Sequence, residues 1–274
     1  MTSPVDGSVP VAQVRRIEDL ARNAWPAAET RQLDGWQLRF THGVTRRANS
    51  VWPNGGAAPA VSERMVAQQI RDVEAFYAAR GVPPQFQICP AARPADLDAQ
   101  LAARGYAAAA ETAVQVTSMK TLLARTASAV GGVDGMDVMV APGLNDDWYA
   151  AYCVSEEVTG VAVPVRRAIL GRIAASTGYA LLRVNDRPAA LGLGVVEANH
   201  LGIFCMATQP DLRRRGLAGQ VLQALAQWGA AAGAEHAYLQ VMLQNEAAQA
   251  LYAQAGFRTL YHYHYRRYDR SVTV

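Results

Sequence analysis

Two short stretches carry residue types whose spacing suits chemistry. The first, Gln209-Pro210-Asp211-Leu212-Arg213-Arg214-Arg215-Gly216-Leu217-Ala218-Gly219, joins the apolar run Leu201 to Thr208 to a second apolar run, Gly216 to Ala232. A helix entered through small residues leaves its first amides unpaired and pointing outward, a socket for phosphate oxygens, and the arginines add positive charge around it. The competing reading is a solvated arginine cluster before an ordinary helix. No Gly-Lys-Ser or Gly-Lys-Thr occurs here, which disfavours an NTP-hydrolysing loop, and Gly192-Leu193-Gly194 lacks the third glycine and the following helix of a dinucleotide fingerprint. The second stretch runs from Asn245 to Phe257. Asn245 suits a helix N-cap, and Tyr252 lies two turns further along nearly the same face, so both can meet one ligand. Alternatively Asn245 only caps and Tyr252 only packs. A phenol, with a reference pKa of about 10, still holds its proton at neutral pH and can donate it as an acid. Cys205, flanked by apolar residues in a strand, reads as a small core residue in preference to a nucleophile.

The elements that must position these residues follow from periodicity and turn chemistry. Val138 to Ala141 reads as a strand, Asn145 to Glu157 as a helix, and Pro164 to Ser176 as a second helix with proline in its first turn. Tyr179 to Val184 and Ala189 to Glu197 read as strands joined by a hairpin at Asn185 to Pro188. A turn at Asn199-His200 leads into the strand Leu201 to Thr208. Leu217, Val221, Leu222, Leu225 and Trp228 mark one face of the next helix; strand Ala237 to Leu243, helix Asn245 to Ala255 and strand Phe257 to Arg266 complete the order. Tyr261, Tyr263 and Tyr265 alternate with His262 and His264, the pattern of a strand with one aromatic face; the histidines resemble metal ligands only superficially.

Taken in this order, the residues resemble the GCN5-related N-acetyltransferase (GNAT) superfamily. Arg213, Gly216 and Ala218 match its acetyl-CoA loop, Arg/Gln-x-x-Gly-x-Gly/Ala. Asn245, Ala248, Leu251, Tyr252, Gly256 and Phe257 match its Asn-x-x-Ala-x-x-Leu-Tyr-x-x-x-Gly-Phe segment. The resemblance covers residues 137–267 and implies an α/β fold, an α+β mixed sheet flanked by helices. It further implies acetyl-CoA as co-substrate, held by Met206, Ala207, Thr208, Arg213, Arg214, Arg215, Gly216, Leu217, Ala218, Gly219 and Asn245, and Tyr252 as the acid that protonates the thiolate. No covalent acyl-enzyme is required. Some histone-acetylating members carry a glutamate base where this chain has Leu201, so the base does not transfer; Glu156, Glu157, Glu197 and a water relay stay open.

The chain also repeats itself weakly. Ile70 and Val221, Tyr77 and Trp228, Ile88 and Leu239, Gly105 and Gly256, and Tyr106 and Phe257 are each 151 residues apart. At that offset Tyr252 corresponds to Leu101 and Asn245 to Pro94, and Ser62 to Ala67 replaces the arginine-glycine loop. Residues 1–125 therefore read as a degenerate, silent copy with strands at Trp36 to Phe40 and Arg46 to Pro53; 126–136 as a linker; and 137–274 as the catalytic domain. Arg47, Asn49 and Trp52, with Glu156 and Glu157 of the second half, are expected to line the acceptor's site. Arg46 and Arg47 suit an anionic group on the acceptor.

Composition narrows the function. The 274 residues are 51% hydrophobic and 18% charged, with 26 basic against 23 acidic residues and a net charge of +3, which does not suggest a nucleic-acid partner. No run approaches the roughly 18 apolar residues needed to span a bilayer, and no secretory signal opens the chain, so a cytoplasmic enzyme without a membrane partner is expected. The three cysteines have neither zinc nor disulfide spacing, and no metal is expected. The expected acceptor is a primary amine of a small molecule, and the expected state a monomer or homodimer. The alternatives are a non-catalytic acetyl-CoA sensor or scaffold, a longer acyl donor, a hydroxyl acceptor and a protein amine.

Overall fold

The computed structural model describes residues 9–55, 62–127 and 136–268, which contain eight α-helices and eleven strands. It divides into two units. Unit 1 comprises Met1–Arg22, Ala27–Ala113 and Leu260–Val274; unit 2 comprises Asn23–Pro26 and Val114–Thr259. This partition differs from a division at the linker, of which residues 128–135 lie outside the described residues. The last strand of the first half, β5 (Ala107–Ser118), continues into unit 2, and most of the last strand of the chain, β11 (Arg258–Arg267), belongs to unit 1.

Unit 1 contains α1 (Val11–Asn23), β1 (Glu29–Leu33), β2 (Trp36–Phe40), β3 (Val51–Trp52), α2 (Glu63–Ala78), β4 (Gln85–Ile88) and α3 (Leu97–Ala103). Its strands lie in the order β1-β2-β3-β4-β11, with β3 and β4 parallel and the other pairs antiparallel. The strand expected over Arg46 to Pro53 shrinks to Val51–Trp52. Asn49 is the reason: its Oδ1 accepts from the amides of Thr41 (2.7 Å) and Gly43 (3.0 Å), and its Nδ2 donates to the carbonyls of Val44 (2.6 Å) and Thr45 (2.7 Å). A side chain that bonds its own loop competes with a strand ladder.

Beneath that loop runs a buried polar network. The Glu18 carboxylate accepts from Tyr261 Oη and Gln87 Nε2, each at 2.8 Å, and Gln87 Oε1 accepts from Arg39 Nη2 at 2.8 Å. Arg39 also donates to the carbonyl (3.1 Å) and hydroxyl (2.7 Å) of Ser50. Burial raises the Glu18 pKa, against which the Tyr261 hydrogen bond and the charges of Arg39 and Arg47 act. Such groups are tolerated inside a protein because they satisfy one another.

Unit 2 adds α4 (Met119–Thr126), β6 (Met136–Ala141), α5 (Asp146–Ser155), α6 (Ala162–Gly171), β7 (Ser176–Val184), β8 (Arg187–Glu197), β9 (His200–Thr208), α7 (Leu217–Ala231), β10 (His236–Met242) and α8 (Glu246–Gln254). Strands β6 to β9 form an antiparallel meander, β10 runs parallel to β9, and β5 takes the other edge of β10. Positive φ at Asn185 (48°) and Asp186 (62°), and again at Ala198 (45°) and Asn199 (57°), gives both hairpins primed turns. The helix expected to reach Ser176 stops at Gly171, and β7 begins at Ser176.

Glycines let α7 sit close on the sheet. Gly178 and Gly194 are cross-strand partners, and a Cβ on Gly178 would lie 2.6 Å from the Trp228 ring. On the other sheet face, Trp148 of α5 packs edge-on against Tyr179 at 4.9 Å. Its Nε1 lies 3.0 Å from the Ala180 carbonyl and 3.2 Å from the Gly192 carbonyl. The two helices therefore clamp opposite faces of β7 and β8. Among the described residues no helix is long and apolar enough to cross a membrane.

In unit 1, β11 is fastened to α3 by Asp98. Its Oδ1 lies 2.7 Å from both Arg266 Nε and His264 Nε2, and its Oδ2 lies 2.9 Å from Arg266 Nη2. The Arg266 hydrogen bonds hold the Asp98 pKa down at about 2. Because this folded value lies below the unfolded value of about 3.9, the stabilisation is present above pH 4 and is lost as pH falls toward 2. Asp98→Asn should lower the thermal midpoint by about 2–4 °C at pH 7, the effect of about 1 kcal/mol for a partly exposed cluster. Differential scanning calorimetry should show that difference shrinking below pH 3.

Candidate active site

The loop before α7 has the form the sequence suggests. Pro210–Leu212 make a single 3-10 turn, Arg213 is extended, Arg214 takes φ 63°, and Gly216 takes φ 77° as the residue that opens α7. No side chain caps this helix. The Gly219 amide turns back to the Gly216 carbonyl at 3.0 Å, while the amides of Leu217 and Ala218 have no acceptor among the described residues. A Cβ built on Gly216 meets nothing within 4 Å, so the approach is open. Arg213, Arg214 and Arg215 are exposed around it; Arg213 Nε reaches the Thr208 carbonyl at 3.4 Å. This arrangement suits an anion with several oxygens.

Beside the loop the sheet comes apart. Strands β9 and β10 are in register only from His200↔His236 to Ile203↔Leu239, although β9 continues to Thr208 and β10 to Met242. In the same segment, β8 uses one residue, Gly192, between Leu191↔Ala207 and Leu193↔Phe204, whereas β9 uses two, Cys205 and Met206. This is a bulge, and Cys205 sits in it at φ 50°. Met206, Ala207 and Thr208 thus border the opening. Cys205 packs near Tyr152 and Tyr179, whose pKa values it helps raise after burial.

Asn245 caps α8, its Oδ1 accepting from the Ala248 amide at 3.1 Å. Tyr252 is 6% exposed and packs edge-on to Phe257 at 5.9 Å, with no hydrogen-bond partner for its hydroxyl among the described residues. Burial alone pushes its pKa up to about 12, so the phenol keeps its proton throughout the neutral range. Capping and packing therefore coexist with a hydroxyl able to donate.

A second cluster lies on the α5 side, and the sequence reading missed two of its members. Tyr152 stacks on Trp148 (5.3 Å, 13°) and accepts from Arg166 Nη1 at 2.8 Å; burial raises its pKa. Glu156, at the C-cap of α5, is exposed as a residue, yet crowding around its carboxyl raises its pKa, an effect that the Arg166 charge opposes. Glu157 is exposed at φ 50°. Gln209 Nε2 donates to Ser155 Oγ at 3.1 Å and so ties the loop before α7 to the end of α5. Tyr149, Tyr152 and Glu156 stand at helical spacing, and that polar stripe was the available signal for Tyr152; nothing in the sequence singles out Arg166. Glu197 lies elsewhere, accepting from Asn23 Nδ2 at 2.9 Å.

The unit 1 residues take other roles. Asn49 is fully engaged in its loop. Trp52 lies under the Arg22 guanidinium at 5.0 Å, and the Arg47 charge acts on Glu18 and Tyr265. The start of α2 is capped by Ser62, whose Oγ accepts from the Met65 amide, and Cys89 Sγ lies 3.4 Å from Asn54 Oδ1 beyond the single β3–β4 pair Val51↔Phe86.

An uncapped helix start beside a parted parallel strand pair, on this order of elements, defines a GNAT-type acetyltransferase. The chain belongs to the family described as "Probable histone acetyltransferase Rv0428c C-terminal", which matches residues 11–268. It is 28% identical over 267 residues to "Uncharacterized N-acetyltransferase YobR" of Bacillus subtilis (strain 168), covering 92% of this chain and 98% of that one. It is 29% identical over 265 residues to "Probable histone acetyltransferase Rv0428c" of Mycobacterium tuberculosis, covering 95% and 76%. Among solved structures, a GCN5-related N-acetyltransferase from Kribbella flavida superposes with a TM-score of 0.67 at 15% identity over 98% of both chains. A tandem GNAT protein from the clavulanic acid biosynthesis pathway gives a TM-score of 0.61 at 13% identity over 82% of this chain and 76% of that one.

Because Gly216 needs a left-handed backbone and its surroundings are open, Gly216→Ala meets conformational strain without a steric clash. Urea denaturation should show a loss of about 1–2 kcal/mol, the cost of placing a side chain in that conformation.

Proposed function

We propose that unit 2 moves an acetyl group from acetyl-CoA to a primary amine of a small molecule by direct attack. The observation that carries this reading is the uncapped start of α7 at Gly216 beside strands that separate after Ile203↔Leu239. The unpaired amides of Leu217 and Ala218, with Arg213 to Arg215 around them, fit a pyrophosphate. The parted segment Met206 to Thr208 fits an extended arm lying along a strand, and Gly219 and Asn245 are the further residues assigned to the coenzyme in this reading. Acetyl-CoA supplies a thioester whose acyl carbon is open to attack.

The remaining chemistry belongs to the chain. The neutral amine forms the new C–N bond, the C–S bond breaks, the attacking nitrogen gives up a proton, and Tyr252 donates one to the departing sulfur. Backbone donors at the end of β9 are suited to holding the carbonyl oxygen as negative charge develops, usually a dominant contribution in acyl transfer. Glu156, whose pKa is raised by burial, is the reading we favour for the group that takes the amine's proton, with Tyr152 and Arg166 fixing the wall beside it. Unit 1 is read as non-catalytic, because Ser62 caps α2 whereas Gly216 leaves α7 uncapped.

A small acceptor is favoured by the near-balanced charge, which provides no broad field for a polycationic tail or a nucleic acid. The mycobacterial relative's name points instead to a protein amine, so the acceptor screen pairs small amines with a lysine-rich histone peptide. Turnover of the peptide in preference to every small amine would contradict this part of the reading.

Isothermal titration should find one acetyl-CoA site per chain, lost in Gly216→Glu. Tyr252→Phe keeps the ring and removes the proton donor; turnover should fall about ten-fold to a thousand-fold with little change in acetyl-CoA affinity. Two equivalent sites, or unchanged turnover of Tyr252→Phe at several pH values, would contradict the assignment.

A further inference from the structure

Gln240 is the first residue of β10 beyond its last pair with β9, Ile203↔Leu239. Both ends of its side-chain amide, Oε1 and Nε2, are buried and have no hydrogen-bond partner among the described residues. Burying either group unpaired is costly, so the position is unfavourable until something supplies a donor and an acceptor together.

The side of the sheet is fixed by alternation. Tyr238, two residues earlier, lies against the Gly202 position and packs edge-on to Phe204 at 6.0 Å, so Gln240 projects from the Phe204 face. Leu201, on the opposite face, meets Gly229 of α7. Phe204 pairs with Leu193, and Leu193 with Tyr179, the residue against which Trp148 of α5 packs. Gln240 therefore stands on the α5 face, the face of Tyr152, Arg166 and Glu156, and away from α7 and its open amides.

The internal repeat provides a comparison. The residue 151 positions before Gln240 is Cys89, whose thiol contacts Asn54 Oδ1 at 3.4 Å. In unit 1 the residue at this position, Cys89, has a partner on its own chain, although Asn54 Nδ2 has none among the described residues; in unit 2 the residue itself is an amide with neither end partnered.

We infer that Gln240 is a specificity-determining residue for the acceptor, and that the acceptor carries an amide beside its primary amine. The two amides form a reciprocal pair: Gln240 Nε2 donates to the acceptor's carbonyl oxygen, and Gln240 Oε1 accepts its N–H. The inference rests on the acetyltransferase reading of unit 2. The pantetheine arm of coenzyme A also contains amides; the α5 face assigns Gln240 to the acceptor, and the experiment separates the two sources.

The full chain is assayed with acetyl-CoA and two probe amines, glycinamide and ethylamine, as wild type, Gln240→Met and Gln240→Glu. The readout is the ratio of kcat/KM for glycinamide to that for ethylamine, compared between proteins so that the amines' own basicities cancel. Acetyl-CoA affinity is measured in parallel by calorimetry. Gln240→Met should lower the ratio at least ten-fold through a higher glycinamide KM, leaving the acetyl-CoA Kd within two-fold. Gln240→Glu, which keeps an acceptor and loses the donor, should fall between them. An unchanged ratio, a weakened acetyl-CoA Kd with an unchanged ratio, or a wild type that binds acetyl-CoA and acetylates neither probe would overturn the inference. A wild type that fails to bind acetyl-CoA would instead overturn the reading on which it rests. A Gln240→Met protein that melts at the wild-type temperature excludes misfolding as the cause of the change.

Discussion

The parting of β9 from β10 after Ile203↔Leu239 is the constraint on which the site depends. A continuous parallel ladder would consume the strand edges that a ligand needs, so the strands must separate while the unit stays packed. The bulge at Cys205 and Met206 bends β9, and Gly192 faces it where a Cβ would lie 2.5 Å from the Met206 sulfur. Helix α7 then holds one face through Trp228 on Gly178 and Gly194, and α5 holds the other through the Trp148 indole. The opening is sustained by close packing on both sides of the neighbouring strands, and the backbone strain at Cys205 is maintained by that packing.

The two units use one plan with different outcomes, and the difference lies in a few polar groups. In unit 1, Ser62 caps its helix, Asn49 gathers its loop and Asn54 Oδ1 meets the Cys89 thiol, although Asn54 Nδ2 and Gln85 Oε1 are buried without a partner among the described residues. In unit 2, Gly216 cannot cap, the Tyr252 hydroxyl has no partner among the described residues, and Gln240 is left with both ends of its amide unpaired. A fold that leaves buried polar groups unsatisfied gives up stability that a bound ligand can restore, the usual relation between a binding site and its scaffold.

Much of unit 2 was legible in the sequence because local signals agreed. Asn185-Asp186 marked a hairpin and the spacing from Leu217 to Trp228 marked the face of α7; in unit 1, Tyr261, Tyr263 and Tyr265 marked a buried strand face. The arginine-glycine loop was visible because a left-handed glycine at a helix start leaves a residue-level trace. Four features were hidden by being tertiary. The shortness of β3 depends on which amides Asn49 reaches, and the allocation of β11 to unit 1 depends on pairing with β4, far away in sequence. Gln240 reads as an ordinary polar strand residue until the end of the ladder beside it is known. Arg166 likewise gains meaning only from the Tyr152 hydroxyl, to which it donates.

Hydrogen–deuterium exchange of the full chain with and without acetyl-CoA tests the central claim, that one opened strand pair and one uncapped helix hold the coenzyme, most directly. Slowed exchange is expected at the amides from Arg215 to Gly219 and from Phe204 to Thr208, with Ser62 to Val66 and Gln85 to Cys89 unchanged. Protection at the start of α2, or an absence of protection at Leu217 and Ala218, would contradict the account.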